Sequence, residues 1–396
     1  DILVENGFIT QIAKSLKNTN KYPVISLENL HVSCGWFDSS VSFGEPGYEE
    51  RETIANGLQV AAASGFTDIA LNAHTYPVID SHSDIAFVKS KATNFVTNLH
   101  PIGALTKESK GVDLAELFDM KSAGSIAFGD YKKPIENPNL LKIALQYTSS
   151  FDGLVHSFPH EPKVAANGVM NENITSTLLG LKGLPALSEE LQIARDLFLL
   201  EYTEGKLHIP TISTAKSVDL IREAKAKKLD ISCSVAIHNL VFTDESLSDF
   251  DTHFKVNPPL RTQSDIEALI LGLKDGTIDM VTTDHDPIDI EHKKIEFDDA
   301  KNGTIGLESA FGALNALFTT KKTVQLLTRG KERFGLKSDS ISVGNKAQLS
   351  LFNPSETYVF EEKHIHSKSK NSLFLGSKLK GTVYGIIANN STSIAL

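Results

Sequence analysis

The sequence contains little cysteine, no concentrated block of positive charge and no long apolar run. Its two cysteines, Cys34 and Cys233, lie far apart in the 396 residues, each in an apolar segment of strand-like composition. Disulfide frameworks and zinc knuckles need more cysteines at closer spacing. We therefore expect two buried thiols in a reducing compartment, and neither a disulfide framework nor a cysteine metal site.

Negative charge outweighs positive charge along the chain. Lysine and arginine number 39 against 49 aspartate and glutamate residues, and no basic block is longer than the cluster at residues 225–228. Binding to nucleic acid requires a concentrated positive surface, so the formal net charge of −10 argues against a nucleic-acid partner. No apolar run is as long as a membrane span and no signal peptide is visible at Asp1, so we expect a cytoplasmic protein without membrane association.

The sequence does contain a repeated alternation of strand-like and helix-like segments. Helical spacing separates the strand-like runs; Ile54, Leu58 and Ala61, for example, recur at intervals of three or four residues before Gly65. Eight such strand–helix units indicate a closed parallel (β/α)8 barrel of the α/β class. The eight predicted strands are residues 36–43, 67–71, 99–102, 125–128, 153–156, 207–212, 231–235 and 278–283.

Two more helices are predicted inside the same region. An apolar repeat with helical spacing between residues 187 and 198 predicts a helix that ends before Gly205. Ser264 and Glu267 have the spacing of a capping box and predict the start of another helix ahead of an apolar stretch.

The two ends of the chain differ from its central part. Residues 1–35 and 340–396 contain short strand-like segments, and Asn6-Gly7 offers a tight hairpin turn between two of them. We expect both ends to meet in one composite β domain beside a barrel that spans residues 36–339.

Chemistry in such a barrel is carried out at the carboxyl ends of the strands. Several imidazoles and two carboxylates on one face could bind a metal, although any single histidine is more often a hydrogen-bonded core or surface residue. The polar residues at the predicted strand ends are Ser40, Ser42, Asn72, His74, His100, Asp130, His156, Thr211, His238, Asp284 and His285.

A series of motifs gives a family resemblance over essentially the whole chain. The loop at residues 38–47, DSSVSFGEPG, keeps the frame of the dihydroorotase pattern Asp-x-His-x-His followed by Phe-Arg-Glu-Pro-Gly. The chain resembles a dihydroorotase, a cyclic amidohydrolase, of the type that pairs with aspartate transcarbamoylase. The other matching segments are PVID at 77–80, GVMNE at 168–172, FKVNPPLR at 254–261, TDH at 283–285, GLE at 306–308 and SKNS at 369–372.

The resemblance implies a zinc centre, and most of its ligands are replaced here. The family holds one or two zinc ions with two first-strand histidines, a carboxylate after the fourth strand, one histidine each from the fifth and sixth strands and an aspartate from the eighth. Ser40 and Ser42 stand in place of the first pair, and Thr211 stands in place of the sixth-strand histidine. A neutral hydroxyl is a poor zinc ligand beside imidazole or carboxylate. We therefore expect no metal and no other cofactor.

Some members of that ligand set persist. His156 corresponds to the fifth-strand histidine, and Asp284 corresponds to the eighth-strand aspartate, which is also the general base of the family. The carboxylate after the fourth strand aligns either with Asp130 or with Tyr131, which would then replace it. His156, Asp130 and Asp284 are the residual candidate ligands should zinc bind.

The resemblance also implies positions for substrate binding. Gly44 replaces the arginine that pairs with the substrate carboxylate, and glycine cannot supply that bidentate contact. Asn257 matches a substrate contact, whereas His74 and Ile288 replace an asparagine and a histidine of the family. We expect Asn257 and His74 to line the remains of the substrate pocket.

Two substitute metal sites are conceivable. One would regroup His74, His156, His285, Asp130 and Asp284 around an ion with a different geometry. The other is His364-x-His366, for which an exposed strand is the expected explanation. Displaced ligands rarely keep the tetrahedral arrangement that zinc requires, so the regrouped site is the less favoured alternative.

Two functional hypotheses follow. The first is a catalytically silent dihydroorotase homologue that keeps the barrel for a structural or regulatory purpose, with aspartate transcarbamoylase as the partner and a homodimer as the expected assembly. The second is an active dihydroorotase, or a relative that hydrolyses another cyclic amide, with an atypical zinc site. The lost ligands favour the first hypothesis, and the retention of Asp284, His156 and Asn257 favours the second.

Overall fold

The computed structural model describes residues 1–337 and 340–394. The predicted end of the barrel at residue 339 and the last predicted residues of the β domain, 395–396, lie outside the described residues. The strands are β1 (Ile2–Glu5), β2 (Phe8–Ile12), β3 (His31–Cys34), β4 (Trp36–Val41), β5 (Phe66–Leu71), β6 (Asn98–Gly103), β7 (Ala127–Phe128), β8 (Val155–His156), β9 (Met170–Asn171), β10 (Gly183–Leu184), β11 (Leu207–Ile209), β12 (Ile231–Ala236), β13 (Met280–Thr282), β14 (Leu349–Val359), β15 (Lys378–Ala388) and β16 (Ser391–Ile394).

The helices lie mainly between the strands of the central region. They are α1 (Ile54–Ala63), α2 (His82–Lys91), α3 (Leu117–Ala123), α4 (Pro138–Ser149), α5 (Pro162–Ala165), α6 (Ile174–Leu179), α7 (Ala186–Thr203), α8 (Ala215–Ala226), α9 (Gln263–Asp275), α10 (Ile290–Lys293), α11 (Ala310–Leu317) and α12 (Thr320–Thr328).

Eight parallel strands form the barrel, and each lies at a position predicted from the sequence. Their order is β4-β5-β6-β7-β8-β11-β12-β13, with every neighbouring pair parallel. The sheet closes beyond β13, where Val41 bridges His285 and the backbone N–H of Ser42 donates to the His285 carbonyl at 2.7 Å. Every residue of β4, β5 and β12 is buried, as expected for strands covered on both faces. The predicted barrel is confirmed.

The two ends of the chain meet in an antiparallel β domain, as predicted. Strands β16, β15, β14 and β3 form one sheet in that order, so that β3 from the N-terminal segment pairs with C-terminal strands. The β1–β2 hairpin turns at Asn6 and Gly7, whose φ angles of 52° and 79° suit a tight turn of this kind. It is tied to the C-terminal region by the Ile9 N–H, which donates to the Asn345 carbonyl at 2.9 Å.

The predicted helices are present, with one correction at a helix start. Helix α1 buries Ile54, Leu58 and Ala61, and α7 covers the apolar repeat at 187–198. The predicted capping box at Ser264 and Glu267 is wrong, because α9 begins two residues earlier. There Thr262 caps the backbone of Asp265 and the Asp265 carboxylate caps Thr262 in return.

Neither cysteine forms a disulfide among the described residues, and the two differ in burial. Cys233 is buried in β12, as predicted, but Cys34 is only half-buried, because β3 is an edge strand of the β domain. Across the part of the chain that the structure describes, no helix is both long enough and apolar enough to cross a membrane.

Candidate functional site

Two cavities lie among the loops that follow the barrel strands, and Tyr131 separates them. The inner cavity, lined by Ser40, His156 and Asp284 among others, has a volume of ≈ 20 Å³ open to the centre of a water molecule. The outer cavity, which includes His74, has a volume of ≈ 410 Å³ by the same measure. Tyr131 lines both. A void that holds one water needs about 10–15 Å³, so the inner cavity has room for water and not for a six-membered cyclic amide.

Asp284 is held by an internal cation. The Nζ atom of Lys132 lies 2.9 Å from Asp284 Oδ2 and 3.6 Å from the carboxylate of Asp286; both aspartates are buried, and the lysine side chain is 13% exposed. The hydroxyls of Ser40 and Tyr131 both donate to Asp284 Oδ1 at 3.2 Å. Burial raises the pKa of Asp284, and the charge of Lys132 opposes that effect. The two aspartates raise the pKa of Lys132 despite its burial, so the lysine stays protonated.

Sequence reasoning assigned no role to Lys132 or Asp286. The only signal was the position of Lys132, two residues after Asp130 in the loop that follows a barrel strand. A lysine in a loop is usually exposed, and its direction here is set by the loop conformation, since Lys132 has a φ of 53°.

The two first-strand serines belong to a hydrogen-bonded network. The Asn72 side-chain amide donates to Ser40 Oγ at 3.1 Å and to Ser42 Oγ at 3.2 Å. Asp38 connects the same region to β13, because its carboxylate accepts from the backbone N–H of Ser40 at 3.1 Å and of Thr283 at 3.0 Å. These groups satisfy one another and hold the first and eighth strands together.

Asp130 caps a neighbouring loop. Its Oδ1 atom accepts from the backbone N–H groups of Leu105 at 2.9 Å and Thr106 at 3.0 Å, and its Oδ2 atom accepts from the Thr106 hydroxyl. Both carboxylate oxygens are therefore occupied by donors, although Asp130 lines the inner cavity.

His156 and Thr211 lie on the inner cavity as predicted. Burial lowers the pKa of His156 to about 3, so its imidazole is neutral, and Nε2 has no hydrogen-bond partner within the described residues. Thr211 has a φ of 50°, a left-handed conformation that is unfavourable for a β-branched residue and easier for histidine. The backbone at this position is thus better suited to a histidine than to threonine.

Other histidines predicted at the strand ends are used elsewhere. His285 Nδ1 accepts from the Gly306 N–H at 3.2 Å, and burial lowers the pKa of His285 to about 4. His100 is not at the carboxyl end of its strand, so that expectation is wrong. It lies in the middle of β6 and hydrogen-bonds to Asp68 at 2.9 Å. His364 ends a short 3₁₀ turn, so the strand expected at His364-x-His366 is also wrong there.

The two predicted substrate-contact residues are not brought together on one cavity. His74 lines the outer cavity, with its ring centroid 5.4 Å from that of Tyr131. Asn257 lines neither cavity, and its Oδ1 atom has no hydrogen-bond partner among the described residues. Their assignment to a substrate pocket stays a prediction.

The turn at Gly44 leaves no room for a side chain. A Cβ atom at Gly44 would lie 1.7 Å from the Tyr48 carbonyl oxygen, and the Tyr48 N–H donates to the Gly44 carbonyl at 2.8 Å. No residue other than glycine fits this turn without moving the backbone. Glu45 supports the same loop, because it accepts from the Ile54 N–H at 2.9 Å and pairs with Lys91 at 3.0 Å.

The side chains around the inner cavity do not fit zinc. Among the residues that the structure describes, no three His, Cys, Asp or Glu side chains are grouped closely enough to hold a metal ion. The donors that do meet at Asp284 are two hydroxyls and an ammonium. Zinc favours thiolate, imidazole and carboxylate ligands, and a protonated lysine at Asp284 repels a second cation. The regrouped site considered from the sequence is not formed.

Comparison with known proteins gives the same family over the full length. A family model described as Dihydro-orotase-like matches residues 31–217. The dihydroorotase of Acetivibrio thermocellus is 40% identical over 403 residues, which cover 100% of this chain and 94% of the relative. The dihydroorotase of Pelotomaculum thermopropionicum is 39% identical over 394 residues, which cover 98% of this chain and 92% of the relative.

Solved structures support the fold. The L-hydantoinase of Arthrobacter aurescens matches with a TM-score of 0.84 at 19% identity, covering 99% of this chain and 91% of that one. The dihydropyrimidinase of Brevibacillus agri NCHU1002 matches with a TM-score of 0.83 at 20% identity and the same coverage. The full-length sequence relatives show the family, and the barrel fold agrees with them. The chain therefore belongs to the dihydroorotase family of cyclic amidohydrolases.

Proposed function

We propose that this chain is a dihydroorotase homologue that does not hydrolyse dihydroorotate and that serves as a structural or regulatory partner in pyrimidine biosynthesis. The observation that carries the proposal is the ion pair between Lys132 and Asp284 at 2.9 Å. The aspartate that would bind metal and take up a proton in the family is here neutralised by the protein's own cation. Both oxygens of the carboxylate therefore already have partners, Lys132 on one and two hydroxyl donors on the other, and these compete with a metal ion and with a substrate proton.

Without zinc, the site lacks the group that would activate water for hydrolysis. Hydrolysis of an amide at neutral pH requires a nucleophile stronger than water, which zinc supplies by lowering the pKa of a bound water to about 7. Ser40, Ser42 and Thr211 offer neutral hydroxyls in place of imidazoles.

Substrate binding is impaired by the same changes. The inner cavity of ≈ 20 Å³ is too small for the substrate ring. The turn at Gly44 also excludes the arginine that would hold a carboxylate. Both features support loss of substrate binding together with loss of catalysis.

An exposed apolar face supports a role in assembly. Helix α7 points Leu187, Leu191, Phe198 and Tyr202 outward, and the last two are each 73% exposed. Large apolar side chains clustered on a surface are characteristic of protein interfaces. We propose the catalytic subunit of aspartate transcarbamoylase as the partner and a homodimer as the state of the isolated chain.

Metal content and turnover test the proposal on one sample. The protein is purified without chelators, its zinc is measured by elemental analysis, and dihydroorotate hydrolysis is assayed directly. We expect zinc well below one equivalent and no turnover above buffer. Stoichiometric zinc with turnover that is lost in Asp284→Ala would overturn the proposal.

Gel filtration with purified aspartate transcarbamoylase tests the partner. We expect the two proteins to elute together at micromolar concentration, and the double variant Leu191→Asp/Phe198→Asp to elute separately. Leu271→Asp, which changes a single exposed leucine on α9, serves as the matched control and should leave the complex intact. Separate elution of the wild-type proteins would count against the transcarbamoylase.

An active cyclic amidohydrolase is the second candidate function. It is favoured by the curated relatives, which are named dihydroorotase at about 40% identity, and by the neutral His156 with its unpartnered Nε2 atom. The zinc and turnover measurements distinguish the two candidates, because this one requires a bound metal or measurable hydrolysis.

A further inference from the structure

The outer cavity has the properties of a binding site that the proposed function does not use. We propose that it binds a small molecule made of a single planar ring that carries a carboxylate or phosphate group. The residues that carry this inference are Tyr48, His74, Tyr76, Tyr131 and Lys133, all of which line the cavity.

The size of the cavity suits a small ligand. Its volume is ≈ 410 Å³, within the range of about 300–1,000 Å³ typical of small-molecule sites. Of the described residues only Tyr131 lines both the inner and the outer cavity, and its hydroxyl donates to Asp284 at 3.2 Å. The ligand would therefore lie above Tyr131 and would not enter the inner cavity.

Aromatic side chains form much of the wall. Tyr48, Tyr76 and Tyr131 contribute phenol rings, and the imidazole of His74 lies against Tyr131 with a tilt of 54° between the rings. Tyr76 is 70% exposed and stacks on no other aromatic ring among the described residues, so its face is open to a ligand. Such rings offer flat surfaces on which a planar ligand can stack.

The charges around the cavity favour an anion. Lys133 makes no ion pair within the described residues, whereas Glu108, the acidic residue of the wall, is paired with Lys110 at 2.7 Å. Arg51 stacks on Tyr48, 4.3 Å from the ring centre, but its charge is offset by Asp289 at 3.7 Å and Glu50 at 3.8 Å. An anionic group on the ligand would therefore complement Lys133.

His74 offers a polar contact that is still unused. Burial lowers its pKa, with Lys132, Arg51 and Lys133 acting in the same direction and Asp286 opposing them. The imidazole is therefore neutral at pH 7 and carries one N–H donor and one acceptor. It has no hydrogen-bond partner among the described residues, so both are available to a heterocycle.

The loop that closes one side of the cavity is strained. Glu108 and Ser109 are consecutive wall residues with φ angles of 53° and 50°, which non-glycine residues adopt rarely. Each such residue costs of order 1–3 kcal/mol, and strained backbone of this kind is concentrated at ligand sites. The strain is consistent with a loop shaped for binding.

Isothermal titration calorimetry with the full chain tests the inference. Orotate is the probe for a ring with a carboxylate and uridine 5′-monophosphate is the probe for a ring with a phosphate. Uracil supplies a planar ring without charge, and cyclohexanecarboxylate supplies an anion without a planar ring. We expect at least one of the first two probes to bind and both control compounds to bind at least about tenfold more weakly.

Variants locate the binding. Lys133→Ala should weaken binding by about tenfold or more, as expected for the loss of one contact to a charged group. Tyr76→Ala should weaken it by about fivefold or more through lost stacking. Lys107→Ala, which removes an exposed cation from the same loop outside the cavity wall, and Thr211→Val, which alters only the inner cavity, should leave the affinity unchanged.

Each outcome decides the inference. Binding of orotate alone, or of the nucleotide alone, supports it and identifies the anionic group. Failure of both at millimolar concentration overturns it, as does undiminished binding to Lys133→Ala. Loss of binding in Thr211→Val would place the ligand in the inner cavity, and so would contradict the inference. Zinc content and turnover do not enter these measurements, so the test is independent of the proposed function.

Discussion

Two buried lysine–aspartate pairs in the same barrel differ in what surrounds them. Lys132 and Asp284 form the mouth pair at 2.9 Å, and Lys331 and Asp68 form a second pair, here called the floor pair, at 2.8 Å. The floor pair lies at the third residue of β5, toward the amino-terminal end of that strand. Although the two distances are almost equal, the pKa of Asp284 is raised and the pKa of Asp68 is lowered.

The difference lies in the number and the distance of the donors. Burial acts to raise the pKa of Asp68, but the hydrogen bond from His100 and the charge of Lys331 outweigh it. Asn98 and Thr67 donate to the same carboxylate at 3.0 and 2.8 Å. Asp284 accepts from two hydroxyls at 3.2 Å and shares its lysine with a second aspartate. At the floor pair, the donors around Asp68 outweigh the cost of burying its charge. At the mouth pair, Lys132 only partly replaces the metal ion that the family resemblance implies beside Asp284.

The largest expected effect is the return of a metal when the mouth pair is broken. Restoring the imidazoles with Ser40→His/Ser42→His/Thr211→His should leave zinc well below one equivalent, because Lys132 still neutralises Asp284. Adding Lys132→Met should raise zinc toward one equivalent, since a complete zinc site contributes of order 10 kcal/mol. Zinc is measured by elemental analysis after dialysis against the metal. Adding Lys331→Met in place of Lys132→Met is the control, and full loading of that protein would contradict the explanation.

Removing either lysine alone should destabilise the fold strongly. Lys132→Met and Lys331→Met each leave a buried aspartate without its cation, which typically costs about 3–5 kcal/mol in the free energy of unfolding. Denaturation by urea at pH 7 measures the change. Asp284→Asn should restore most of the stability in the Lys132→Met background.

Replacing the aspartate of the floor pair should restore less stability than replacing Asp284 does at the mouth pair. Asp68→Asn in the Lys331→Met background leaves an amide among Asn98, His100 and Thr67, three donors that require a carboxylate acceptor. Equal rescue at both ends would mean that the extra donors around Asp68 contribute little, and the comparison between the pairs would fail.

Two buried aspartates on neighbouring barrel strands should also respond to pH with opposite sign. Burial raises the pKa of Asp38, the third residue of β4, to about 6, against about 3.9 in an unfolded chain. Its favourable contribution is therefore present below pH 4 and is lost as pH rises through 6, by about 3 kcal/mol. The pKa of Asp68 is lowered, so its contribution is present above pH 4 and is lost as pH falls below that value.

Unfolding by urea between pH 3 and pH 7 measures both slopes. The stability of the wild type relative to Asp38→Asn should fall from pH 4 to pH 7, whereas its stability relative to Asp68→Asn should be constant there and decrease only below pH 4. A parallel pH dependence for the two variants would show that the two carboxylates do not differ in this respect.

The barrel could be predicted because its strands are covered on both sides. Every residue of β4, β5 and β12 is buried, so each reads as a continuous β-prone run in the sequence. Strands β7 and β8 are only two residues long, and the predicted runs there continued into turns. Apolar composition marks a buried segment well and its hydrogen-bonded ends poorly.

The direction of α7 could not be predicted from its pattern. An apolar repeat normally faces the core, yet α7 turns Leu191 and Phe198 to the surface and buries Glu189 and Asp196. Glu189 accepts from the backbone N–H of Ser213 at 2.8 Å, and Asp196 is paired in a similar way with buried donors. Periodicity identifies a face, but the partners that allow a polar face to be buried lie in other parts of the chain.

The sequence predicts which residues of the candidate site are replaced, but not the contacts that those residues make in the fold. The losses at Ser40, Ser42 and Thr211 are visible in the sequence because the neighbouring motif fixes their alignment. The ion pair by which Lys132 neutralises Asp284 is not visible in the sequence. It depends on the path of one loop and on a contact between residues 152 positions apart.

The smallest expected effect is the loss of unfolding free energy when one hydroxyl beside Asp284 or one beside Asp68 is removed. Ser40→Ala removes a donor 3.2 Å from Asp284, and Thr67→Val removes a donor 2.8 Å from Asp68. The longer bond to a carboxylate that already carries a raised pKa should be worth about 0.5–1 kcal/mol, and the shorter bond to a charged carboxylate about 1.5–3 kcal/mol. Urea denaturation at pH 7 resolves this difference, with Ser342→Ala at an exposed loop position as a neutral reference. If Ser40→Ala proved the more costly change, the hydroxyl at the mouth would be a principal stabiliser of Asp284, and the mouth would have to be regarded as a network as complete as the one at the floor.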